Sequence, residues 1–345
     1  MKKLVKWIAL TLVTAMVLTG CGQQTGGGAS SGGAGGTEGE DLQTLRVAVM
    51  TNGFDQYTVL VGLWQGIFEK NGLKLEVTEY GRGINTIDAV ANGTADVGNM
   101  ANYATVNRFG NTLHDTNLII FSELSGGGLK TGGLYVAPQY VDNLEALDGS
   151  EGFLTILATV SDYQNSVVME YLGLDESKQN LIAADSLQTQ LALAQKGDAS
   201  AVYVTGSSAK KYEEYGWVLA VPSEELDMID GAFFITSREF NAEHSDILAK
   251  FLLSVQESFD FMQEDLQRSG EYLESQIGIN ASDFVANWSA ITCKIGFSEE
   301  GAEHLEEMKD WALEHGRFEE DFNIRDFINT DAAEIAVPDK VTVVK

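Results

Sequence analysis

From residue 45 onward, short β-rich runs alternate with stretches whose apolar residues recur at helical spacing. Residues 45–50 read as a strand and Thr51-Asn52-Gly53 as the turn after it. Val59, Leu60, Leu63, Trp64, Ile67 and Phe68 then form the stripe of one amphipathic helix, which Asn71-Gly72 stops. Residues 73–80 are the next strand, 83–91 a short helix ended by Asn92-Gly93, and 95–99, 117–123 and 133–137 three further strands. After Pro138 the pattern restarts. Strands are predicted at 153–158, 180–183, 199–204 and 217–221, with helices at 163–172, 187–196 and 207–215 between them. Beyond Pro222 a strand at 231–236 precedes a long helix carrying Ile247, Leu248, Phe251, Leu252, Val255 and Phe259 on one face. The rest is mostly helical, including 298–315. No convincing repeat is present, although both halves open with a strand and a helix. The alternation predicts an α/β protein with parallel-type sheets in two lobes, 42–137 with 222–345 and 138–221, the prolines marking the crossings.

The first forty residues follow a different pattern. Lys2, Lys3 and Lys6 precede an apolar run from Trp7 to Leu18, and Leu18-Thr19-Gly20-Cys21 resembles a bacterial lipobox. The run is shorter than the about 20 residues a membrane-spanning helix needs. Residues 1–20 therefore read as a lipoprotein signal peptide and Cys21 as a lipidated N-terminus, anchoring the chain to the outer face of the cytoplasmic membrane. Residues 21–41 hold nine glycines between Gly22 and Glu40 and no large apolar side chain, which predicts a flexible tether of about 24 Å root-mean-square span.

Composition narrows the partners. With 22 Lys and Arg against 51 Asp and Glu, the formal charge is −29, and cleavage before Cys21 would remove three lysines and no acid, taking it to −32. Such a chain repels phosphate backbones, so nucleic acid is excluded. Two cysteines cannot staple a disulfide scaffold, and 44% hydrophobic content is enough to build cores without one. Cys293, in an Ile-Thr-Cys-Lys-Ile context, reads as a packed thiol.

Catalytic patterns are scarce. The histidines are His114, His244, His304 and His315, the last three in or beside charged helices and so expected on a solvated surface. His304, Glu307 and Asp310 could share a helical face, but no second histidine stands at i+4, and no metal, cofactor or catalytic residue is expected. G-x-S-x-G, H-E-x-x-H, C-x-x-C and a Walker loop are all missing, and Thr86 replaces the last glycine of a dinucleotide fingerprint after Gly81-Arg82-Gly83.

Four segments carry a resemblance. Gly62-Leu-Trp-Gln-Gly-Ile-Phe-Glu-Lys-Asn-Gly-Leu-Lys-Leu-Glu-Val77 resembles the helix-to-strand segment of solute-binding lipoproteins of ABC importers, in the nitrate, sulfonate and taurine branch that includes thiamine-precursor binders. Asp88-Ala-Val-Ala-Asn-Gly-Thr-Ala-Asp-Val-Gly98, Leu144-Glu-Ala-Leu-Asp-Gly149 and Ala194-Gln-Lys-Gly-Asp-Ala-Ser-Ala201 are similar to later elements of that family. The resemblance implies a two-lobed periplasmic-binding-protein fold of type II, a monomer whose lobes close on a small solute held in the cleft. It also implies an ABC permease and its ATPase subunit as partners. Two departures, Ser200 for a common aspartate and Gly206 for a frequent proline, fall in the ligand-facing loop. An enzyme of the pyrimidine-synthase type and a lipid-anchored sensor share the fold. The first uses histidines and a cysteine-rich segment that this chain lacks.

In open α/β sheets ligands meet strand carboxyl ends and helix N-termini. That rule picks out Thr51, Asn52, Gly53 and Phe54, then Asn99, Met100, Ala101 and Asn102, and Ser125 within 122–126. From the second lobe it picks out Thr159, Ser161, Asp162 and Tyr163, with Tyr203 and Thr205. Arg82 would suit an anion such as sulfonate, whereas Asp162 would pair with an ammonium. Phe54, Tyr103, Tyr163, Tyr203 and Phe233 could instead sandwich a flat heterocycle. Each has a plainer alternative: Ser161 or Asp162 as a helix cap, 51–53 as a turn, Tyr203 as core and Arg82 as a solvated loop residue.

Overall fold

A computed structural model describes residues 42–344 apart from Asn52, 129–131, 157–158, Asp185, Gly206, Asp227 and Ile291. The signal peptide, the lipidation of Cys21 and the tether lie outside the described residues, as does the departure at Gly206. The chain begins β1 (Gln43–Met50), α1 (Phe54–Trp64), α2 (Ile67–Lys70), β2 (Leu73–Tyr80), α3 (Gly83–Ala91), β3 (Gly98–Ala101), α4 (Asn102–Gly110) and β4 (Leu118–Gly128). It continues with β5 (Gly133–Val136), β6 (Phe153–Thr155), α5 (Val160–Tyr171), β7 (Leu181–Ala183), α6 (Leu187–Lys196), β8 (Ala201–Val204), α7 (Ser207–Glu214) and β9 (Val218–Pro222). The last stretch is β10 (Ile229–Ser237), α8 (Arg238–Glu264), α9 (Leu266–Ile277), α10 (Ala281–Asn287), β11 (Cys293–Gly296), α11 (Glu299–Glu314) and α12 (Asp331–Ala336).

β1 pairs with β2 in parallel, and β11, β4, β10 and β3 form a four-stranded sheet in that order. A parallel bridge between Val47 and Val97, with the Ala48 N–H donating to the Val97 carbonyl at 2.8 Å, joins them into the order β2-β1-β3-β10-β4-β11. The other sheet runs β7-β6-β8-β5-β9. The two sheets share a plan. In each, three parallel strands are followed by an antiparallel one, β10 or β5, and that strand is the one the chain reaches on crossing from the other sheet. No sequence repeat announces this, because the plan constrains only alternation and burial, which many side chains satisfy.

The first crossing is not at Pro138. β5, expected in the first lobe, pairs with both β8 and β9, so the chain leaves the first sheet between Gly128 and Gly133 and returns between Pro222 and Ile229. All four β5 residues are buried, which a strand gains only between two partners. Gly132, at φ +79°, permits the crossing. A Cβ there would lie 2.1 Å from the Val204 carbonyl oxygen of the second sheet.

Three helices also differ from the sequence pattern. The single stripe of 59–68 is broken at Gly66, whose φ of +66° ends α1 and starts α2. α4, not anticipated, is held by Tyr103, Val106 and Phe109 at three-residue steps into the core. The long helix α8, capped by Ser237 accepting the Phe240 N–H at 3.0 Å, is kinked at His244.

Each sheet is covered on both faces. Against the first, Ile87, Tyr103, Phe109 and Leu305 of α3, α4 and α11 pack on one side, and Val59, Phe251 and Leu252 of α1 and α8 on the other. Against the second, Val168 and Met169 of α5 face Leu191 and Tyr212 of α6 and α7 through the strands. No helix among the described residues is long and apolar enough to cross a membrane.

Candidate functional site

In both sheets the strand order reverses between β1 and β3, or β6 and β8, and ligands of open α/β sheets meet the loops that leave such strands, so these loops are the first and second walls of the candidate site. On the first wall the decisive group is Asp55, which sequence reasoning passed over. Its carboxylate is 2% exposed and accepts hydrogen bonds from the Met50 N–H at 2.7 Å and from the side chain of Asn99, tying the end of β1 to β3. Burial pushes its pKa up to about 6 against these hydrogen bonds. Gly53 is fixed by the same carboxylate, since a Cβ there would stand 2.3 Å from Asp55 Oδ1.

The other candidates on this wall divide. Thr51 is exposed, Asn52 lies outside the described residues, and Phe54 packs edge-on to Phe259 at 5.8 Å. Met100 is buried, Ala101 is the half-buried residue before α4, and Ser125 is half-buried on β4. Asn102 has a fully committed amide. Its Oδ1 accepts the Tyr103 N–H, and its Nδ2 donates to the Ile229 carbonyl at 3.1 Å and faces His304 Nε2 at 3.0 Å. Arg82, before α3, is exposed, and its side chain has no hydrogen bond or ion pair among the described residues.

On the second wall Thr159, rather than Ser161 or Asp162, caps α5. Its Oγ1 accepts the Ser161 N–H at 3.3 Å and donates to the Ile156 carbonyl at 2.6 Å. Ser161 and Thr205 are half-buried. Tyr203 sits in the core of this sheet with its hydroxyl on Ser223 at 2.8 Å, and Phe233 is buried in the other.

Asp162 is placed where the two halves touch and is 4% exposed. It accepts from Arg317 at 3.0 Å and from the Tyr103 hydroxyl at 3.3 Å, so a residue at the start of α5 is held by groups of α4 and of the loop after α11. Burial raises the pKa of its carboxyl, and the Arg317 charge and Tyr103 hydroxyl offset only part of the rise. Tyr163 stacks on Tyr103 with centroids 6.1 Å apart and meets Trp311 edge-on at 5.0 Å. His315 stacks on Trp311 at 4.3 Å and pairs with Glu176 at 3.2 Å. The tyrosines expected to sandwich a heterocycle are thus spent on packing between the halves or within them.

The three histidines expected on the surface depart from it: His304 is buried, with its pKa lowered by that burial, and His244 and His315 are half-buried. Cys293 is half-buried on β11, and burial pushes its thiol up to about 11, keeping it protonated near neutral pH. Among the described residues no group of three or more His, Cys, Asp and Glu is arranged to hold a metal ion. An open groove of about 680 Å³, lined by Leu191, Ala192, Gln195, Lys211 and Tyr215, lies between α6 and α7 on the outer side of the second sheet, away from the groups just described.

No protein-family model matches the chain, and no curated protein matches it in sequence. Solved structures do match it in fold. The periplasmic aliphatic sulphonate-binding protein SsuA of Escherichia coli is 15% identical, with 83% of this chain and 97% of that one aligned at a TM-score of 0.71. The alkanesulfonate-binding protein SsuA of Xanthomonas axonopodis pv. citri, bound to MOPS, is 12% identical over 83% and 98%, at 0.68. The periplasmic nitrate-binding protein NrtA of Synechocystis PCC 6803 is 12% identical over 87% and 91%, at 0.65. At these identities the likeness concerns the fold, which is that of the periplasmic binding proteins.

Proposed function

We propose that this chain is the solute-binding component of an ABC importer, working outside the cytoplasm and without covalent chemistry. Its two lobes close on a small organic solute and present the closed form to a permease driven by an ATPase subunit. The observation that carries this is the repeated strand plan. Two sheets share one strand order over five strands and are joined by two crossings of the chain, and in sheets of this kind ligands meet the loops at the strand carboxyl ends. Rotation about the crossings at 128–133 and 222–229 would open and shut that cleft with little change inside either half. The lipobox at Cys21 and the Gly-rich run after it fit the same role, holding the binder near its membrane partner. In the closed form the solute would touch Thr51, Arg82 and the junction of β3 with α4 on one side, with Ser161 and Thr205 on the other.

Thermal unfolding of the chain from Leu42 onward against taurine, alkanesulfonates, nitrate, bicarbonate, aminopyrimidines, flavins and amino acids tests the proposal. A solute at 100 times its Kd adds about 2.7 kcal/mol, enough to move the midpoint by several degrees. A melt moved by a protein partner but by no small solute would argue for a sensor instead.

A further inference from the structure

Among the described residues, the ion pairs that join the two halves fall in two places, and the two differ in kind. The first lies between α5 and the first half. Asp162, 4% exposed, accepts from Arg317 at 3.0 Å, and Glu176 pairs with His315 at 3.2 Å and with Arg317 at 3.7 Å. Beside these charges Val160 and Tyr163 pack against the core of the first sheet. The second is a single pair, Lys210 of α7 with Asp283 of α10 at 3.6 Å, with 71% and 55% of the two side chains exposed.

These contacts lie on opposite faces of both sheets. In the second half α5 covers one face and α6 and α7 the other. In the first half α4 and α11 cover one face, while α10 sits on the α1 side, where Phe284 meets Tyr57 edge-on at 5.8 Å. The chain crosses between the halves from β4 to β5 and from β9 to β10. β4 and β10 are neighbours in one sheet, and β5 and β9 are neighbours in the other, so the two crossings run side by side. Together they make one tether, which alone leaves the direction of rotation open. A second fixed contact would restrict the motion to the line through both.

The surroundings of each contact decide which of them yields. Parting α5 from the first half would return Val160, Tyr163 and the ring of Trp311 to water and would separate a charge pair that is nearly dry on one side. Parting Lys210 from Asp283 uncovers little that water does not already reach, and such a pair contributes little and is screened by salt.

We infer that the contact of α5 with α4 and the α11 loop is a fixed second joint between the halves, and that the cleft opens on the opposite face, between α7 and α10, where Lys210 and Asp283 part to admit the solute. This rests on the solute-binding reading above and adds to it the axis of closure and the side of entry. Arg317 and Asp162 then stay paired in the open and closed forms alike.

Distances between pairs of spin labels test it, in the chain from Leu42 onward carrying Cys293→Ser so that only introduced thiols are labelled. One pair, Glu214→Cys with Asn287→Cys, spans α7 and α10. The other, Glu170→Cys with Glu319→Cys, spans α5 and the α11 loop, and all four positions are exposed. Lys210→Glu, at an exposed position, should move the first pair to longer distances and leave the second in place, and adding Asp283→Lys should bring the first pair back. Any solute of the panel above that raises the melting temperature should shorten the first pair alone. A second pair that lengthens with the first, or a first pair unmoved by Lys210→Glu, overturns the inference. If a bound solute moves the second pair and not the first, the halves close about another axis and the solute-binding reading stands. If no panel solute raises the melting temperature and neither pair moves, both fall.

Discussion

Replacing Arg317 by alanine is expected to lower the unfolding free energy by about 3 kcal/mol at neutral pH, a loss much larger than surface ion pairs produce. The reason is the state in which it leaves Asp162. That carboxylate is 4% exposed, and with Arg317 gone the Tyr103 hydroxyl at 3.3 Å would be its one remaining side-chain hydrogen bond among the described residues. An isolated buried charge costs several kcal/mol, and the partial exposure of Arg317, 26%, keeps the figure at the low end of that range. The guanidinium also lies over Trp311 at 5.7 Å and reaches Glu176 at 3.7 Å, so packing and charge are lost together.

Asp162 would take up a proton more readily without Arg317, so the loss should shrink as the pH falls. The double variant Arg317→Ala with Asp162→Asn removes the orphaned charge and should recover part of the stability. Urea unfolding of the four proteins in this cycle gives the coupling directly. An unfolding midpoint for Arg317→Ala equal to that of the parent would mean that the contact between α5 and the α11 loop contributes nothing.

Asp55→Asn should change the pH dependence of stability by about 2 kcal/mol between pH 4 and pH 7. An aspartate in the unfolded chain titrates near 3.8, and burial lifts this one to about 6 in the fold. Between those values the folded state holds the proton more tightly than the unfolded state. The contribution of Asp55 to stability is therefore greatest in acid, falls as the pH rises through that window and levels off above about 6. Asparagine has no proton to lose and can still accept the Met50 N–H, so the variant should gain on the parent steadily across the window. Guanidinium unfolding of both proteins at half-unit steps from pH 4 to 7.5 measures the difference. Parallel curves would show that Asp55 is not buried in this way.

Much of this architecture is legible in the sequence, and the parts that are not have physical causes. Strands such as β1 and β2 and the long face of α8 carry their own hydrophobic period, so they appear where the pattern puts them. α4 does not, because Asn102, Thr105 and Asn107 favour turns and extended backbone, and only the burial of Tyr103, Val106 and Phe109 makes the segment helical. β5 looks identical in sequence whichever sheet it joins. Pairing with β8 and β9, residues 65 or more positions away along most of the register, decides the matter, and local pattern holds no record of it.

The site shows the same division. Gly53 before α1 and Thr159 before α5 stand where periodicity puts a helix start, whereas Asn99, expected at a strand end, lies inside β3. Arg317 stands 155 residues from the aspartate that it neutralises, and nothing near it in sequence marks the pairing.

The central claim, closure of two lobes on a solute, is tested most directly by small-angle X-ray scattering. The chain from Leu42 onward would be measured alone and with the panel solute that most raises its melting temperature. Closure about the two crossings predicts a smaller radius of gyration with the solute present, saturating at one equivalent. A bound solute that leaves the scattering curve unchanged would contradict it.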